Sequence, residues 1–397
     1  MPLLSHALRG EAVSTAVDLF AGPGGWDLAC ERLGIGSLGI EFDAAACETR
    51  RAYGLPTIEG DVRDFGPSIF PDAEGLIASP PCQTFSMAGN GAGRKALDKV
   101  LLGIEQVAAG GVAPAFDDER TGLVLEPLRW ALQGNYKWLA FEQVPTVLPV
   151  WEAMAAVLRE RGYSVATGVL NAEQYGVPQT RKRAILVAHR DRAVSLPIPT
   201  HSRYYSRTPE KLDTGVSKWV SMAEALDWGM THRPPMTVTG GGSATGGAEP
   251  FGNGARKSML RELEAGRWVY RASKQANASQ RSPEQPAPTL AFGHAYNSAG
   301  WMGSPSGMTG PVHRPVIDPA ATVTGAGNYY IYPSTIPSNF RAITQSEAAV
   351  LQTFPANYPW QGTKGKQFQQ IGNAIPPLLA EAVLGAVLNP AVQDTLV

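Results

Sequence analysis

Apolar positions in the first half of the chain fall into short, nearly continuous runs, separated by stretches with helical spacing. Residues 16–20 (AVDLF), 38–41, 75–78, 138–142 and 183–188 (RAILVA) read as buried strands. Helices fit between them. One starts near Trp26, after the turn Gly22-Pro23-Gly24-Gly25, and another covers 150–161. Strand–helix alternation over 16–187 predicts a mostly parallel sheet covered on both faces. Between Asn90 and Arg120 the periodicity fades into Gly, Ala and Asp. That predicts a long connection with one short helix at 96–108, and long connections of this kind are often mobile functional loops.

From about Pro197 to Asn339 the chain turns to Gly, Ser, Thr, Pro and Arg with scattered aromatics. Three Pro-x-x-Thr-[Val/Leu] units begin at Pro234, Pro286 and Pro319, each with a glycine shortly after. Their unequal spacing excludes a solenoid, and three short strands entering from turns is the simpler reading. Helical spacing returns at 344–354 and again at 376–388. The chain thus leaves an α/β domain, builds an irregular module and comes back.

Composition supports a packed core: 44% of the 397 residues are hydrophobic and 17% charged, which excludes wholesale disorder. No run of eighteen apolar residues suggests a membrane span, and the N-terminus lacks the basic and apolar regions of a secretory signal. The three cysteines, Cys30, Cys47 and Cys82, form neither a disulfide framework nor a CxxC metal site. A reducing, cytoplasmic setting is the expectation, with no metal. Net charge is only −1, but it is unevenly placed. Residues 1–180 carry 13 Lys and Arg against 22 Asp and Glu, whereas 181–281 carry 17 against 8. A basic segment of this size beside an acidic one suits a protein with one phosphate-facing side.

Five motifs bear chemistry. DLFAGPGG (Asp18 to Gly25) puts glycines after a strand and before a helix, where backbone N–H groups can approach a ligand. It departs from GxGxxG. Glu41 at the end of the next strand is placed to hydrogen-bond ribose hydroxyls, and Asp61 in Gly60-Asp61-Val62 adds a second acid, so a nucleoside cofactor is favoured. Ser79-Pro80-Pro81-Cys82-Gln83 follows the apolar strand 75–78, at the sheet edge where α/β active sites open. Phe141-Glu142-Gln143-Val144 puts an acid at the tip of a strand. Gln179-Thr180-Arg181-Lys182-Arg183 places two guanidinium groups on one face of an extended segment. Gln370-Ile371-Gly372-Asn373-Ala374-Ile375-Pro376-Pro377 is a turn opening the last helix.

Taken in this order, these motifs, together with ITQSEAAVLQTFP from Ile343, resemble the C5-cytosine DNA methyltransferase family of bacterial and phage type. The resemblance covers nearly all of the α/β part. It implies an S-adenosylmethionine-dependent, Rossmann-like α/β fold with a mostly parallel sheet. A smaller, irregular, β-rich target-recognition domain would be inserted before the C-terminal motifs. On that basis the catalytic domain is expected at 1–190 and 341–397 and the recognition domain at 191–340. The resemblance implies Cys82 as the nucleophile that adds to cytosine C6, and Glu142 as the acid that hydrogen-bonds N3 and the exocyclic amine. Arg183, with Arg181, would hold the flipped base and support the cysteine. S-adenosylmethionine is the implied cofactor, taken by Phe20, Ala21, Gly22, Gly24 and Gly25 around its methionine end. Glu41 and Phe42 are assigned to ribose and the adenine edge, Asp61 and Val62 to adenine, and Pro80 and Asn373 complete the pocket. A loop running on from the nucleophile, 84–120, would close over the base.

The family's glutamate is normally followed by Asn, and here it is Gln143, which puts support of the glutamate loop in question. Candidate DNA contacts are Gln83, Ser86, Arg233, Arg256, Lys257 and Arg267. The expected partner is double-stranded DNA, met by a monomer, with any companion restriction endonuclease acting separately. Two alternatives stand beside this reading: cytosine-5 methylation of RNA, and a non-catalytic DNA-binding protein on the same fold.

Overall fold

The expected alternation is present. In chain order it runs β1 (Thr15–Leu19), α1 (Gly25–Arg32), β2 (Gly36–Glu41), α2 (Ala44–Tyr53), β3 (Thr57–Glu59) and β4 (Gly75–Ala78). Then come α3 (Leu97–Ala108), α4 (Glu119–Gly122), α5 (Glu126–Gln133), β5 (Trp138–Gln143), α6 (Leu148–Glu160), β6 (Ser164–Asn171), β7 (Gln179–Thr180) and β8 (Lys182–His189). In this computed structural model the described residues are 15–81, 97–205, 207–208, 210–226, 268–271, 280–281, 285–288, 300–303, 341–342 and 344–388. Cys82, Gln83, Ser86, Arg233, Arg256, Lys257 and Arg267 lie outside them, as do the first and third Pro-x-x-Thr units.

Seven strands form one sheet in the order β3-β2-β1-β4-β5-β8-β6. The first five are parallel, and β8 runs antiparallel to both β5 and β6. Because side chains alternate across a strand, each strand feeds two cores. Val17, Leu19, Leu76, Leu139, Phe141 and Leu186 pack on one face against Ile104 of α3, Leu128 of α5 and Trp151, Met154 and Leu158 of α6. Ala16, Ile77, Ala140, Ile185 and Val187 pack on the other against Trp26 and Ala29 of α1 and the last helix. At roughly 1.5–3 kcal/mol for each large apolar side chain buried, these two layers are the main source of stability.

Within the connection expected at 90–120, the described residues from 97 onward hold the expected helix. There α3 is a twelve-residue helix with Val100, Gly103 and Ile104 buried, and α4 begins at Glu119. The weak periodicity had to compete with glycines. Gly103 is buried because a Cβ there would meet Leu125 at 2.6 Å.

After β8 come α7 (Met222–Ala225), β9 (Trp268–Arg271), β10 (Gln280–Arg281), β11 (Ala287–Pro288), β12 (Gly300–Gly303) and β13 (Arg341–Ala342). Among them β10-β9-β12-β13 form an antiparallel sheet, so the described residues of this region include the expected strands. The second Pro-x-x-Thr unit supplies β11, which pairs with β7 and ties this region to the segment just before β8. The chain closes with α8 (Gln345–Leu351), α9 (Lys364–Asn373) and α10 (Pro377–Leu388). A capping box starts α8: Thr344 accepts from the Glu347 N–H, and Glu347 accepts from the Thr344 N–H. By length and composition the stretch Lys364–Leu388 could cross a membrane, but its apolar surface is mostly buried, with Leu379, Val383 and Leu384 in the core. It is a core helix pair.

Candidate active site at the carboxyl edge of the sheet

The strand order reverses between β1 and β4, and the segments that follow these strands part there to leave a crevice, the expected ligand position in an open α/β sheet. A cavity of about 420 Å³ fills it. Each parallel strand delivers its own contribution: Phe20 to Pro23 after β1, Glu41 to Asp43 at the end of β2, and Gly60 to Arg63 after β3. Ser79 to Pro81 follow β4, and Glu142 and Gln143 end β5. Residues dispersed over 120 positions therefore meet because parallel strands all end on one edge.

The cofactor turn is held by backbone geometry and by a buried ion pair. Gly22 has φ +55° with open space where a Cβ would stand. A ligand can approach its backbone. Gly24 and Gly25 are required by packing as well. A Cβ at Gly24 would meet Leu55 at 2.3 Å, and one at Gly25 would meet the Ile375 carbonyl at 2.4 Å. Gly24 stands outside the cavity lining, whereas Gly25 touches it. Phe20 is held at φ 60°, a left-handed conformation that costs a non-glycine residue about 1–3 kcal/mol and sets its ring at the cavity. Beneath the turn, Arg50 of α2 forms a fully buried pair with Asp27 of α1, at 2.6 and 3.0 Å. The same guanidinium donates to the Ala21 carbonyl at 3.4 Å and the Pro56 carbonyl at 3.1 Å.

Glu41 accepts from three backbone N–H groups: Gly22 at 2.7 Å, Phe42 at 2.8 Å and Asp43 at 2.7 Å. Burial pushes its carboxyl above the usual range against these bonds. Phe42 and Asp43 share Oε1, so Oε2, which accepts only from Gly22, keeps a second lone pair for a hydroxyl donor. Phe42 presents a ring that is 75% exposed. Asp61 accepts from Arg63 through its backbone N–H and its guanidinium, which holds the Asp61 carboxyl below its usual value. Val62 is buried beside it.

At the other end stands the Glu142–Arg183 pair, with Arg183 Nε at 2.6 Å from Glu142 Oε1 and both residues buried. Topology makes the pair. Since β8 is antiparallel to β5, its first residues lie beside the last residues of β5, with Glu142 opposite Ile185 and Gln143 opposite Ala184. The two arginines expected to act together are divided. Arg183 lines the cavity, whereas Arg181 turns to the C-terminal segment and donates to the Ala374 carbonyl at 2.9 Å. Gln352 donates to that same carbonyl at 2.6 Å. Arg181 thus fixes the turn between α9 and α10 in place.

Sequence reasoning did not single out Lys366 and Gln369, and assigned no role to Gln370; all three join Asn373 in lining the cavity from α9. Their i, i+3, i+4, i+7 spacing was a readable helical stripe. Lys366 Nζ also reaches Asp43 Oδ2 at 2.5 Å, joining α9 to the N-cap of α2. Glu119, Arg120 and Leu123 line the cavity from α4 and the turn that follows it, and no sequence signal marked them. Among the described residues no cluster suited to a metal ion is present.

A doubly covered α/β sheet brings a glycine turn, an acid at the end of β2 and a buried Glu–Arg pair to one edge, around the same cavity. Comparison with known proteins fixes the family. The family profile described as C-5 cytosine-specific DNA methylase matches residues 14–389, and the chain belongs to that family. It is 26% identical to the Type II methyltransferase M1.HphI of Haemophilus parahaemolyticus, over 94% of this chain and 87% of that protein. It is 28% identical to the Type II methyltransferase M.XorII of Xanthomonas oryzae pv. oryzae, over 94% and 84%. Among solved structures, the S. pombe Dnmt2 methyltransferase superposes with a TM-score of 0.53 at 15% identity, over 96% of this chain and 99% of that one. The chain is thus an enzyme, a DNA cytosine-5 methyltransferase. Neither alternative weighed from the sequence is favoured.

Proposed function

We propose that this protein methylates C5 of a flipped-out cytosine at one short sequence in duplex DNA, through a covalent bond between Cys82 and C6. The observation that carries the reading is the buried Glu142–Arg183 pair at 2.6 Å, set on the sheet edge from which Pro80 and Pro81 lead into Cys82. C5 of cytosine is a poor nucleophile. Addition of the Cys82 thiolate to C6 forms the S–C6 bond and drives electron density toward N3 and C5. Glu142 hydrogen-bonds N3 and the exocyclic amine, stabilising that charge, while Arg183 holds the base and orients Glu142. When the methyl group has been accepted at C5, loss of the C5 proton and breakage of the S–C6 bond restore the thiolate. The base must leave the duplex for this, at a cost of a few kcal/mol.

The residues around the cavity fit S-adenosylmethionine. Glu41 keeps a lone pair on Oε2 for a ribose hydroxyl, Phe42 offers a ring face, Asp61 an acceptor for an amine, and Gly22 an open backbone. When bound, that group supplies an electrophilic methyl on a sulfonium. Phe20, Ala21, Gly25, Val62, Pro80 and Asn373 complete its wall. We further assign 1–190 with 341–397 to catalysis and 191–340 to target recognition, in a cytoplasmic monomer. Any companion endonuclease would act on the same site separately, as the Type II names of its relatives suggest.

The test is expression in a bacterium free of cytosine methylation, followed by bisulfite sequencing of its DNA. Protected cytosines at one recurring short motif are expected. Uniform conversion by soluble protein that still binds S-adenosylmethionine would overturn the duplex-DNA reading.

A further inference from the structure

The glutamate's neighbour departs from the family's usual Asn, and its side chain does something that strand geometry makes necessary. The β4–β5 ladder ends at Ala78 opposite Phe141. Beyond it come Ser79 and two prolines, which have no N–H to extend pairing. Pro80 is nevertheless buried, so its carbonyl needs a donor from elsewhere. Gln143, 2% exposed, provides it: Nε2 donates to the Pro80 oxygen at 2.5 Å. The amide is held from its other end, where Oε1 accepts the backbone N–H of Val144. Opposed bonds of this kind fix which end is nitrogen, since a flipped amide would set oxygen against the Pro80 oxygen.

We propose that Gln143 is a positioning residue for the chemical step: its side chain replaces the missing ladder rung and holds Pro80, two residues before Cys82, at a fixed distance from the end of β5. The inference rests on the reading of Cys82 as nucleophile, two residues beyond Pro80. It also reverses the expectation that Asn would serve better here. The side chain of an Asn is shorter by one C–C bond, about 1.5 Å. Starting from 2.5 Å, its amide nitrogen would stand outside hydrogen-bond range of the Pro80 oxygen. Ser79 is already fixed on the opposite side, by Trp26 Nε1 to its hydroxyl at 2.9 Å and by its N–H to the Leu19 carbonyl at 3.2 Å. The Gln143 bond therefore controls the remaining freedom of the loop toward β5.

The experiment uses the full-length enzyme and Gln143→Asn, Gln143→Leu and Gln143→Glu. Two rates are read: steady-state methylation of unmethylated DNA, and formation of the covalent complex with a duplex carrying 5-fluorocytosine at the methylated position. Gln143→Asn and Gln143→Leu are expected to lower kcat and the adduct rate about 10²-fold, the effect of a misplacement near 1 Å, with KM for cofactor and DNA changed less than about twofold. Gln143→Glu keeps the length and the Val144 acceptor and loses the donor. Its deficit should shrink as pH falls, because a protonated carboxyl can donate to the Pro80 oxygen. If the Asn and Leu variants fail to fold, that pH dependence decides the matter alone. An Asn variant as fast as wild type, or a Glu variant whose ratio to wild type is flat with pH, overturns the proposal. Absence of any adduct with the wild-type enzyme would instead overturn the Cys82 reading.

Discussion

Arg50→Met tests the foundation of the cofactor turn. Arg50 and Asp27 are both inaccessible to solvent, so the substitution leaves a carboxylate buried without its counter-ion. The two carbonyls that Arg50 also serves are less affected, because Ala21 keeps a donor from the Gly24 N–H and Pro56 keeps one from Gly39. Asp27 keeps only the Ser37 hydroxyl, at 2.7 Å, among its described side-chain donors. The loss is therefore that of breaking a buried pair, about 3–5 kcal/mol. Against a total stability of roughly 5–15 kcal/mol, that is a large share. Urea unfolding followed by circular dichroism should show the midpoint fall with an unchanged slope. Adding Asp27→Leu to Arg50→Met should restore most of the loss, since a pair replaced by apolar groups leaves no stranded charge. Affinity for S-adenosylmethionine should fall with the single substitution, as the turn loses the buried pair beneath it. A single-variant loss below about 1 kcal/mol would show that solvent screens this pair as it does a surface pair, and would refute the reasoning.

Further expectations follow from neighbouring groups. Burial, then the Asp27 carboxylate, pushes the Asp18 carboxyl well above its usual value. The unfolded chain then releases this proton first as pH rises past about 3.9, so stability falls from there until the folded group also ionises. Asp18→Asn should gain on wild type in urea midpoints as pH rises past about 3.9; a difference constant with pH would refute this. Burial, followed by Glu41 and Glu59, pushes the Cys47 thiol up to about 12, and burial also raises Cys30. Native alkylation at pH 8 should label Cys82 alone by peptide mass spectrometry, and equal labelling at Cys30 or Cys47 would count against it. Cys82→Ser should abolish turnover while leaving DNA and cofactor binding nearly intact; substantial residual methylation would remove the nucleophile assignment. DNA affinity should fall steeply with salt, by about 0.9 logarithmic unit per decade for each phosphate neutralised by the 181–281 segment. A flat response would return that segment to ordinary surface.

What the sequence determined by itself is local in character. Continuous apolar runs fixed β1, β4, β5 and β8 to within a residue or two, because a strand covered on both faces needs apolar side chains at successive positions. The edge strand β6 and the short β3 were not visible, since half-buried residues such as Thr167 and Thr57 leave no such run. Motif order brought out Glu41, Asp61 and Glu142, each at the end of a strand or just beyond it, where parallel topology places it at the cavity, and Arg183, which the antiparallel β8 brings to the same edge from its first residues. Tertiary structure alone decided the division of labour among them. Arg181 and Arg183 are equivalent in an extended segment, and only the turn at Ala374, 193 residues away, draws one of them from the site. Gln143 looked like a weakened Asn until the Pro80 oxygen, 63 residues earlier, proved to be its partner. Gly24 and Gly25 read as ligand glycines, yet Leu55 and Ile375 are what forbid their side chains. Strand and helix periods are written in neighbouring residues, whereas hydrogen bonds and close contacts join groups that only the folded sheet brings within reach.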